Sequence, residues 1–377
     1  MKSYDVLVVD DSIFMRKIIS DFISEDASFR VVATAKNGRE AIELVKKLKP
    51  HVVTMDIEMP EMNGLDALKI IMKEQPTPVI MLSSLTQDGA RETITALERG
   101  AVDFVGKPSG SISLDLHKVK AMLLEKLHMA VKTNIAKFAA RPSGTLSPMK
   151  NSPAAGLPSS GLQQRRQEAP PSPVFPATDP QTSGKVTQLV AIGTSTGGPR
   201  ALHQVMSNMP PNFPAPVVIV QHMPPNFTKS LAQRLNSVSP LTVVEAEDGM
   251  VLKNGTAYIA PGGYHMMVAR NGPGAYRIYI NKDEPRGGHR PSVDVLFESL
   301  LPLKELKRHI VIMTGMGADG AKGMRALRQA GAVTTIAESE ETCIVYGMPR
   351  AAVELDGVMH VVPQQDIAAK LAQAVVT

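Results

Sequence analysis

A serine lies between two glycines just after an apolar run, in the stretch VAIGTSTGGPR at residues 190–200. The pattern Gly193-x-Ser195-x-Gly197 has the spacing of a nucleophile elbow, in which a tight strand-to-helix turn exposes a serine hydroxyl at the edge of a sheet. Glycine-rich turns of this kind also bind phosphate groups through their main-chain N–H groups. The stretch therefore leaves two chemistries open, covalent catalysis by Ser195 and phosphate binding by the loop.

A serine nucleophile needs a base that takes its proton and a third group that orients the base. His222 ends the apolar run VVIVQH, and Asp319 is the carboxylate in the stretch TGMGADGAKG. His265 and His289 are alternative bases, the first in a predicted hairpin and the second in a predicted loop. Because Ser195, His222 and Asp319 each follow a predicted parallel strand, we expect them at the same sheet edge.

The glycines Gly315-x-Gly317-x-x-Gly320 support a competing interpretation. They follow a predicted strand, open a predicted helix and precede Glu338 at the end of the next strand, as in a dinucleotide fingerprint. Two observations count against a nucleotide site: the pattern lies near the end of its domain, and it leaves the serine and histidine above without a role. The same glycines could instead present main-chain N–H groups to an oxyanion.

A second group of polar residues ends the predicted strands of the first part of the chain. Three carboxylates belong to it, Asp10, Asp11 and Asp56, and Ser83 and Lys107 end two further strands. Carboxylates at one sheet edge repel one another unless a hard cation lies between them, and Mg²⁺ prefers such oxygen ligands. A hydroxyl and an ammonium across the same edge could hold a phosphoryl group.

Short β-branched runs alternate with amphipathic stretches in both parts of the chain. The helices predicted in the first part lie near 13–24, 38–48, 64–74, 89–98 and 112–138. Because the strands are apolar throughout, they are expected to be buried on both faces of parallel sheets. The same alternation returns after residue 185, where antiparallel hairpins are predicted at 256–281. The fold class is therefore α/β, with two doubly wound parallel sheets.

Residues 141–184 are rich in proline, serine and glycine, a composition that favours a flexible linker over a packed core. The chain is thus predicted to divide into a domain at 1–140, a linker at 141–184 and a second domain at 185–377. How closely the two domains dock is left open by the length of the linker.

Bulk composition narrows the class of protein further. The net charge of +5 is spread along the chain, without the local basic excess that nucleic-acid binding needs. The chain has one cysteine, so no intramolecular disulfide can form, which fits a reducing compartment. No apolar run approaches the roughly 18 residues of a spanning helix. We expect a cytoplasmic protein with no nucleic-acid partner and no membrane insertion.

The segments VVDDS, TMDIEMPEMNG, MLSSLT and DFVGKP resemble the receiver domain of two-component response regulators, over residues 3–125. The resemblance implies a flavodoxin-like fold and phosphorylation of Asp56 by a histidine kinase. Ser83 and Lys107 would contact the phosphoryl group, and Phe104 occupies the position of an aromatic switch. The Mg²⁺ ligands implied are Asp10, Asp11, Asp56 and the main-chain carbonyl of Glu58.

The segments AIGTSTGGP, VIVQHMPPNFTKSLAQRL, YIAPGGYHM, HRPSVDVLFESL and VIMTGMGADGAKGM resemble the catalytic domain of chemotaxis-specific protein-glutamate methylesterases, over residues 187–376. The resemblance implies a Rossmann-like domain with an antiparallel hairpin insert. It makes Ser195 the nucleophile, His222 the general base and acid, and Asp319 the residue that orients the histidine. The oxyanion would be stabilised by the main-chain N–H of Met316, with Thr196 beside it.

The same resemblance implies hydrolysis of glutamate γ-methyl esters on the cytoplasmic domains of chemoreceptors, with release of methanol, and deamidation of receptor glutamines. That step would need no cofactor, and Mg²⁺ would serve only the receiver domain. The unphosphorylated receiver domain would cover the esterase site. Two alternatives are a receiver-regulated dinucleotide-binding oxidoreductase and a receiver-regulated binding module without catalytic activity.

Overall fold

The computed structural model of the chain describes residues 3–107, 113–133 and 185–376. The predicted linker, 141–184, and its predicted border at residue 140 lie outside the described residues. Within the described segments, no helix combines the length and the apolar character needed to cross a membrane.

Five parallel strands form the first sheet. The strands are β1 (Tyr4–Val9), β2 (Phe29–Ala35), β3 (Val52–Asp56), β4 (Val79–Ser83) and β5 (Asp103–Gly106). The helices are α1 (Ile13–Ser24), α2 (Gly38–Leu48), α3 (Gly64–Glu74), α4 (Gln87–Glu98) and α5 (Ser113–Ala130). The strand order β2-β1-β3-β4-β5 is that of flavodoxin-like domains, and it confirms the predicted strand–helix units.

Side chains fix where the first four helices begin. Ser12, Asn37, Asn63 and Thr86 each precede a helix and accept a hydrogen bond from a main-chain N–H group in its first turn. The last helix of this domain is shorter than predicted: it ends at Ala130 rather than 138. The hydrogen bonds of the next residues, 132 and 133, run to carbonyls three residues back, which tightens the chain into a turn.

Seven parallel strands form the second sheet. The strands are β6 (Gln188–Thr194), β7 (Val217–Gln221), β8 (Thr242–Glu245), β9 (Thr256–Ile259), β12 (Lys307–Ile312), β13 (Thr334–Glu338) and β14 (His360–Val362), and a separate pair is β10 (His265–Arg270) and β11 (Tyr276–Asn281). The helices are α6 (Gly198–Ser207), α7 (Phe227–Asn236), α8 (Val293–Ser299), α9 (Ala321–Gln329), α10 (Met348–Glu354) and α11 (Ile367–Val376), with a 3₁₀ turn at Gln364–Asp366. The strand order is β14-β13-β12-β6-β7-β9-β8.

The prediction of hairpins over the whole of 256–281 is wrong for its first strand. Strands β10 and β11 pair antiparallel as predicted, with His265 opposite Asn281. Strand β9, however, lies in the main sheet and pairs parallel with both β7 and β8. Residues 257–260 are buried, as expected for a strand covered on both faces, and this burial favours the central sheet over an exposed hairpin.

The first strand of the second domain, β6, lies at the centre of the second sheet. The strands that follow it are added on one side of β6, and the last three, beginning with β12, are added on the other side. Strand β6 pairs with β7 on one side and with β12 on the other, so the order of connection reverses between β6 and β12. In open α/β sheets, ligands bind beyond the carboxyl ends of the strands at such a switch point. The turns after these three strands carry Ser195, His222 and Asp319.

The two domains contact each other beside that edge. Phe104 of β5 stacks on Phe227 of α7, with ring centroids 4.7 Å apart and planes inclined by 13°. Glu98 at the end of α4 forms an ion pair with Arg234 of α7, at 2.8 Å between Nε and Oε1. The first domain therefore lies against the face of the second that carries the candidate nucleophile.

Candidate functional site

The turn that carries Ser195 is held on both sides by neighbouring strand ends. The main-chain N–H of Ser195 donates to the carbonyl of Thr314, at 3.0 Å, and the Gln221 side-chain amide donates to the Ser195 carbonyl, at 2.9 Å. Gly197 has φ +78°, a left-handed conformation that suits glycine and lets helix α6 begin immediately. A side chain on Gly315 would lie 2.8 Å from the Ser195 Cβ, so this glycine permits the close approach of the two loops.

His222 and Asp319 meet at this edge as predicted. The Nε2 atom of His222 lies 2.8 Å from Oδ2 of Asp319, and both side chains are 8% exposed. Asp319 also accepts hydrogen bonds from the N–H groups of Val293 and Asp294 and from the Ser292 hydroxyl. Burial alone would raise the pKa of Asp319. The hydrogen bond to His222, the charge of His222 and the main-chain donors outweigh burial and lower that pKa to about 2.

The second ring nitrogen of His222 remains for chemistry. Nδ1 is buried and makes no hydrogen bond to any described residue. His222 and Ser195 line the same cleft of about 630 Å³ between the two domains, together with Met316. His222 is thus paired with Asp319 and shares a cleft with Ser195, but no hydrogen bond joins the Ser195 hydroxyl to His222 within the described residues. The unpartnered ring nitrogen lies on the side of the ring away from Asp319.

The two alternative histidines have other surroundings. His265 is buried; its Nδ1 accepts the Ser292 N–H at 3.2 Å, and its Nε2 lies 3.1 Å from the Glu284 carbonyl oxygen. His289 stacks on His222, with ring centroids 3.8 Å apart and planes inclined by 6°. Burial and the neighbouring His222 lower the pKa of His289 to about 4. Neither histidine forms a hydrogen bond to a carboxylate within the described residues.

The main-chain donors proposed for an oxyanion lie at the mouth of this cleft. Met316 is 39% exposed, and neither its N–H nor that of Thr196 donates a hydrogen bond within the described residues. The Thr196 hydroxyl, however, donates to Oδ2 of Asp103 across the domain contact, at 2.6 Å. Sequence reasoning missed Asp103, because its partner becomes visible only once the domains are docked.

Glu338, the acid of the alternative dinucleotide pattern, is turned into the domain. It is fully buried, and its carboxylate accepts hydrogen bonds from the Thr314 N–H and the Thr342 hydroxyl. A carboxylate in that position cannot reach the ribose hydroxyls of a nucleotide lying over the loop. Of the glycines in the pattern, Gly315 permits the approach of the loop to Ser195, and Gly320 lies against Val293.

The acidic residues of the first domain also come together. Carboxylate oxygens of Asp10, Asp11 and Asp56 lie within 4.8 Å of one another, a set of hard oxygen donors that fits a divalent cation. The ammonium of Lys107 lies 2.9 Å from Asp10 and 2.7 Å from Asp56. Burial raises the pKa of Asp56 to about 6, against the lowering effect of Lys107. Glu58 lies beside Asp11 in the adjoining surface depression.

Ser83 and Phe104 face away from this acidic group. The Ser83 hydroxyl is buried against helix α4, where it accepts a hydrogen bond from Thr93 Oγ1 at 2.7 Å and lies 3.1 Å from the Gly89 carbonyl oxygen. The Phe104 ring is engaged by the second domain and has the Lys126 ammonium 5.1 Å from its centroid. Lys107 and Ser83 were both predicted to contact the phosphoryl group. Lys107 lies among the acidic residues, whereas the Ser83 hydroxyl is hydrogen-bonded to residues of helix α4.

Two family models match the chain. The model of the response regulator receiver domain matches residues 6–117, and that of the CheB methylesterase matches residues 190–371. A protein-glutamate methylesterase/protein-glutamine glutaminase of Geobacillus kaustophilus is 50% identical over 376 residues, 100% of this chain and 99% of the relative. The protein with the same name from Thermotoga maritima is 45% identical over 371 residues, 98% of each chain.

Solved structures match the two halves separately. The crystal structure of the Thermotoga maritima CheB methylesterase catalytic domain is 46% identical, with a TM-score of 0.47, and the match covers 49% of this chain and 97% of that one. The response regulator domain of Thermotoga maritima CheB is 54% identical, with a TM-score of 0.33, covering 35% of this chain and 99% of that one.

Proposed function

The chain belongs to the CheB methylesterase family of receiver-linked hydrolases, and on that premise we propose that it demethylates chemoreceptors under the control of phosphorylation at Asp56. The substrates would be glutamate γ-methyl esters, hydrolysed to glutamate and methanol, and receptor glutamines, deamidated to glutamate and ammonia. Because these groups lie on cytoplasmic receptor domains, the protein would work in the cytoplasm. One observation carries the proposal: His222 is bonded to Asp319 beside Ser195.

The chemistry follows from that arrangement. Ser195 Oγ attacks the ester carbonyl while His222 takes its proton on Nδ1, and the tetrahedral oxyanion forms against the N–H groups of Met316 and Thr196. His222 then gives the proton to the departing methoxide, which leaves as methanol. A water molecule, deprotonated by the same histidine, hydrolyses the acyl-enzyme. The scheme uses no cofactor.

Asp319 acts through His222. Its carboxylate holds Nε2 in the tautomer that leaves Nδ1 free, and it stabilises the imidazolium that forms during each proton transfer. The two main-chain donors from the start of α8 fix the carboxylate itself, so the histidine has a rigid support.

The receiver domain would hold Mg²⁺ on Asp10, Asp11, Asp56 and the Glu58 carbonyl, and the ion would neutralise charge on the phosphoryl group. Asp56 would take that group from a histidine kinase. Lys107 already contacts both Asp10 and Asp56, so it can pair with the added negative charge without a long movement.

Regulation would act through the contact between the domains. The cleft that contains Ser195 is lined on its other side by residues of the receiver domain, among them Phe104 and Lys107. In this arrangement the receiver domain would hinder the approach of a receptor helix to the serine. Phosphorylation at Asp56 would release the contact and open the cleft.

Substitution of the triad tests the proposed activity. Ser195→Ala, His222→Ala and Asp319→Ala should each lower methanol release from methylated receptor membranes by roughly 10³-fold or more. Ser207→Ala, at the exposed end of α6, is the matched control and should retain the parental rate. A triad variant that keeps the rate of the Ser207→Ala control would remove that residue from the mechanism.

A further inference from the structure

Glu338 is a buried carboxyl group that the reaction scheme does not use. It is the last residue of β13, and its side chain is fully buried. An isolated buried carboxylate is strongly destabilising unless polar groups around it satisfy its oxygens. The groups that satisfy it therefore indicate what the residue does in this fold.

Each oxygen of the Glu338 carboxylate accepts one hydrogen bond: one from a side chain, and one from the main chain just after strand β12. Oε1 accepts a hydrogen bond from the Thr342 hydroxyl, at 3.0 Å, and that hydroxyl in turn accepts the N–H of Gln364, also at 3.0 Å. Oε2 accepts the main-chain N–H of Thr314, at 2.9 Å. Glu338 thus ties the loop after β12 to a fixed point behind the sheet edge.

Thr314 passes this support to two consecutive residues of the nucleophile turn. Its carbonyl accepts the N–H of Ser195 at 3.0 Å, and its hydroxyl donates to the carbonyl of Thr196 at 2.9 Å. The same hydroxyl accepts the N–H of Val345 at 3.0 Å, so the Thr314 side chain cannot rotate freely. Ser195 and Thr196 are therefore both positioned by Thr314, and Thr314 is held by Glu338.

We propose that Glu338 is a positioning residue of the esterase reaction, which sets the position of Ser195 through Thr314 and makes no contact with substrate. The inference rests on the proposed function, because it requires Ser195 to be the nucleophile. Without an acceptor at Glu338 the buried Thr314 N–H would lack a partner, and the loop would shift to find one. A shift of about 1 Å at reacting atoms can cost roughly 10²-fold in rate.

Burial raises the pKa of Glu338 to about 7, although the bonds from Thr314 and Thr342 favour the charged form. The contacts do not require a charge, because a neutral amide can accept the Thr314 N–H with its oxygen and donate to the Thr342 hydroxyl with its nitrogen. Glu338→Gln should therefore keep the support, whereas Glu338→Met fills a similar volume and offers only a thioether sulfur, a weak acceptor. This pair of variants separates hydrogen bonding from packing.

The test is the rate at which an alkyl fluorophosphonate labels Ser195 in the full-length protein. We expect Glu338→Met to lower the maximal labelling rate roughly 10- to 100-fold without raising the half-saturating probe concentration, and Glu338→Gln to restore most of that rate. Thr335→Val is the matched control: it lies on the same strand and loses the side-chain acceptor for Met359 N–H, which keeps its bond to the Thr335 carbonyl. It should lose thermal stability and keep its labelling rate.

The outcomes separate this inference from the proposed function. The labelling is done with a phosphodonor and Mg²⁺ present, so that the receiver domain does not cover the cleft. If Ser195→Ala is then labelled as fast as the parent, or the parent is not labelled, Ser195 is not the nucleophile and both proposals fail. If the parent is labelled at Ser195 and folded Glu338→Met is labelled equally fast, only the positioning role is overturned. If Glu338→Met does not fold, Glu338→Asp is used instead, because its shorter side chain withdraws the carboxylate from Thr314. Slower labelling of Glu338→Asp would then support the positioning role, and labelling at the parental rate would overturn it.

Discussion

The imidazole of His222 is restrained on two sides. Asp319 bonds its Nε2 atom, and the ring of His289 covers one face at a centroid distance of 3.8 Å. Because burial and His222 itself lower the pKa of His289 to about 4, His289 is neutral at neutral pH and does not oppose a positive charge on its neighbour. At the scale of single residues, His289 therefore acts as a flat, uncharged support for the candidate base.

Substitution of His289 tests this support. His289→Ala should lower kcat/KM for ester hydrolysis roughly three- to tenfold, because the stacking energy is lost and the His222 ring can rotate. His289→Phe keeps an aromatic face and should recover most of that loss. The lowered pKa leaves His289 uncharged above about pH 5. The fall of kcat/KM on the acidic side of its pH profile should therefore be the same in His289→Phe and in the parent. An acidic limb that moves in His289→Phe would show that His289 itself titrates in the reaction.

The residue types of the site could be predicted because each lies just after a strand, where a parallel sheet must gather them. That rule indicated Ser195, His222 and Asp319 as candidates. It left His265 and His289 open as alternative bases, and the family resemblance selected among them. The bond from Thr196 to Asp103 could not be predicted, since it depends on how two domains dock. The inward direction of Glu338 was also hidden, because the same glycine spacing serves a nucleotide loop and a loop packed against a serine.

At the scale of elements, the site depends on three strand-to-helix turns that approach one another closely. The loop after β12 runs directly beside the nucleophile turn, and Gly315 gives it the space to do so. Strand β13 supports that loop from behind. Helix α8 supplies the main-chain donors that hold Asp319.

Gly315→Ala tests this close approach. The added Cβ would collide with the Met348 sulfur and lie 2.8 Å from the Ser195 Cβ and 3.1 Å from the Ser195 nitrogen, so the Met348 side chain and a backbone must move. We expect methanol release to fall by roughly 10²-fold, because the serine and the oxyanion donors move apart. Gly331→Ala is the control for a new methyl group away from the site: its φ of +82° is rare for L residues, unlike the backbone of Gly315, so the change should cost stability, but its Cβ meets no atom within 4 Å. Equal activities of the two variants would contradict a role for loop spacing.

Most strands and helices could be predicted from short apolar runs and their spacing. The assignment failed at Thr256–Ile259, whose apolar residues fit a buried parallel strand as well as a hairpin. Only the pairing with β7 and β8, which is set by distant parts of the chain, distinguishes the two. The end of α5 was missed for a local reason, the change to a tighter turn after Ala130.

At the scale of the whole molecule, the receiver domain presents the N-terminal end of β5 to the cleft that contains Ser195. Asp103 bonds Thr196 beside the nucleophile, and the next residue, Phe104, stacks on Phe227 of the other domain. Lys126 pairs with the same Asp103 carboxylate, at 2.7 Å. A movement of the β5 end would therefore disturb both the cover over the cleft and the hydroxyl of Thr196.

The ion pair between Glu98 and Arg234 provides a test of this contact away from the reacting groups. Arg234→Glu places two carboxylates opposite each other and should raise basal methanol release roughly threefold or more, because repulsion weakens the docked state. The charge swap, Glu98→Arg with Arg234→Glu, should return the basal rate to that of the parent. A basal rate that stays unchanged in Arg234→Glu would show that this contact does not restrain activity.

Phosphodonor-dependent methanol release tests the central claim, that a Ser195 esterase is controlled through Asp56. The measurement uses methylated receptor membranes, the full-length protein and a small-molecule phosphodonor with Mg²⁺, in the parent, Ser195→Ala and Asp56→Asn. We expect release that requires Ser195, rises with phosphodonor in the parent and stays at the basal rate in Asp56→Asn. Full stimulation of Asp56→Asn, or release that persists in Ser195→Ala, would contradict this claim.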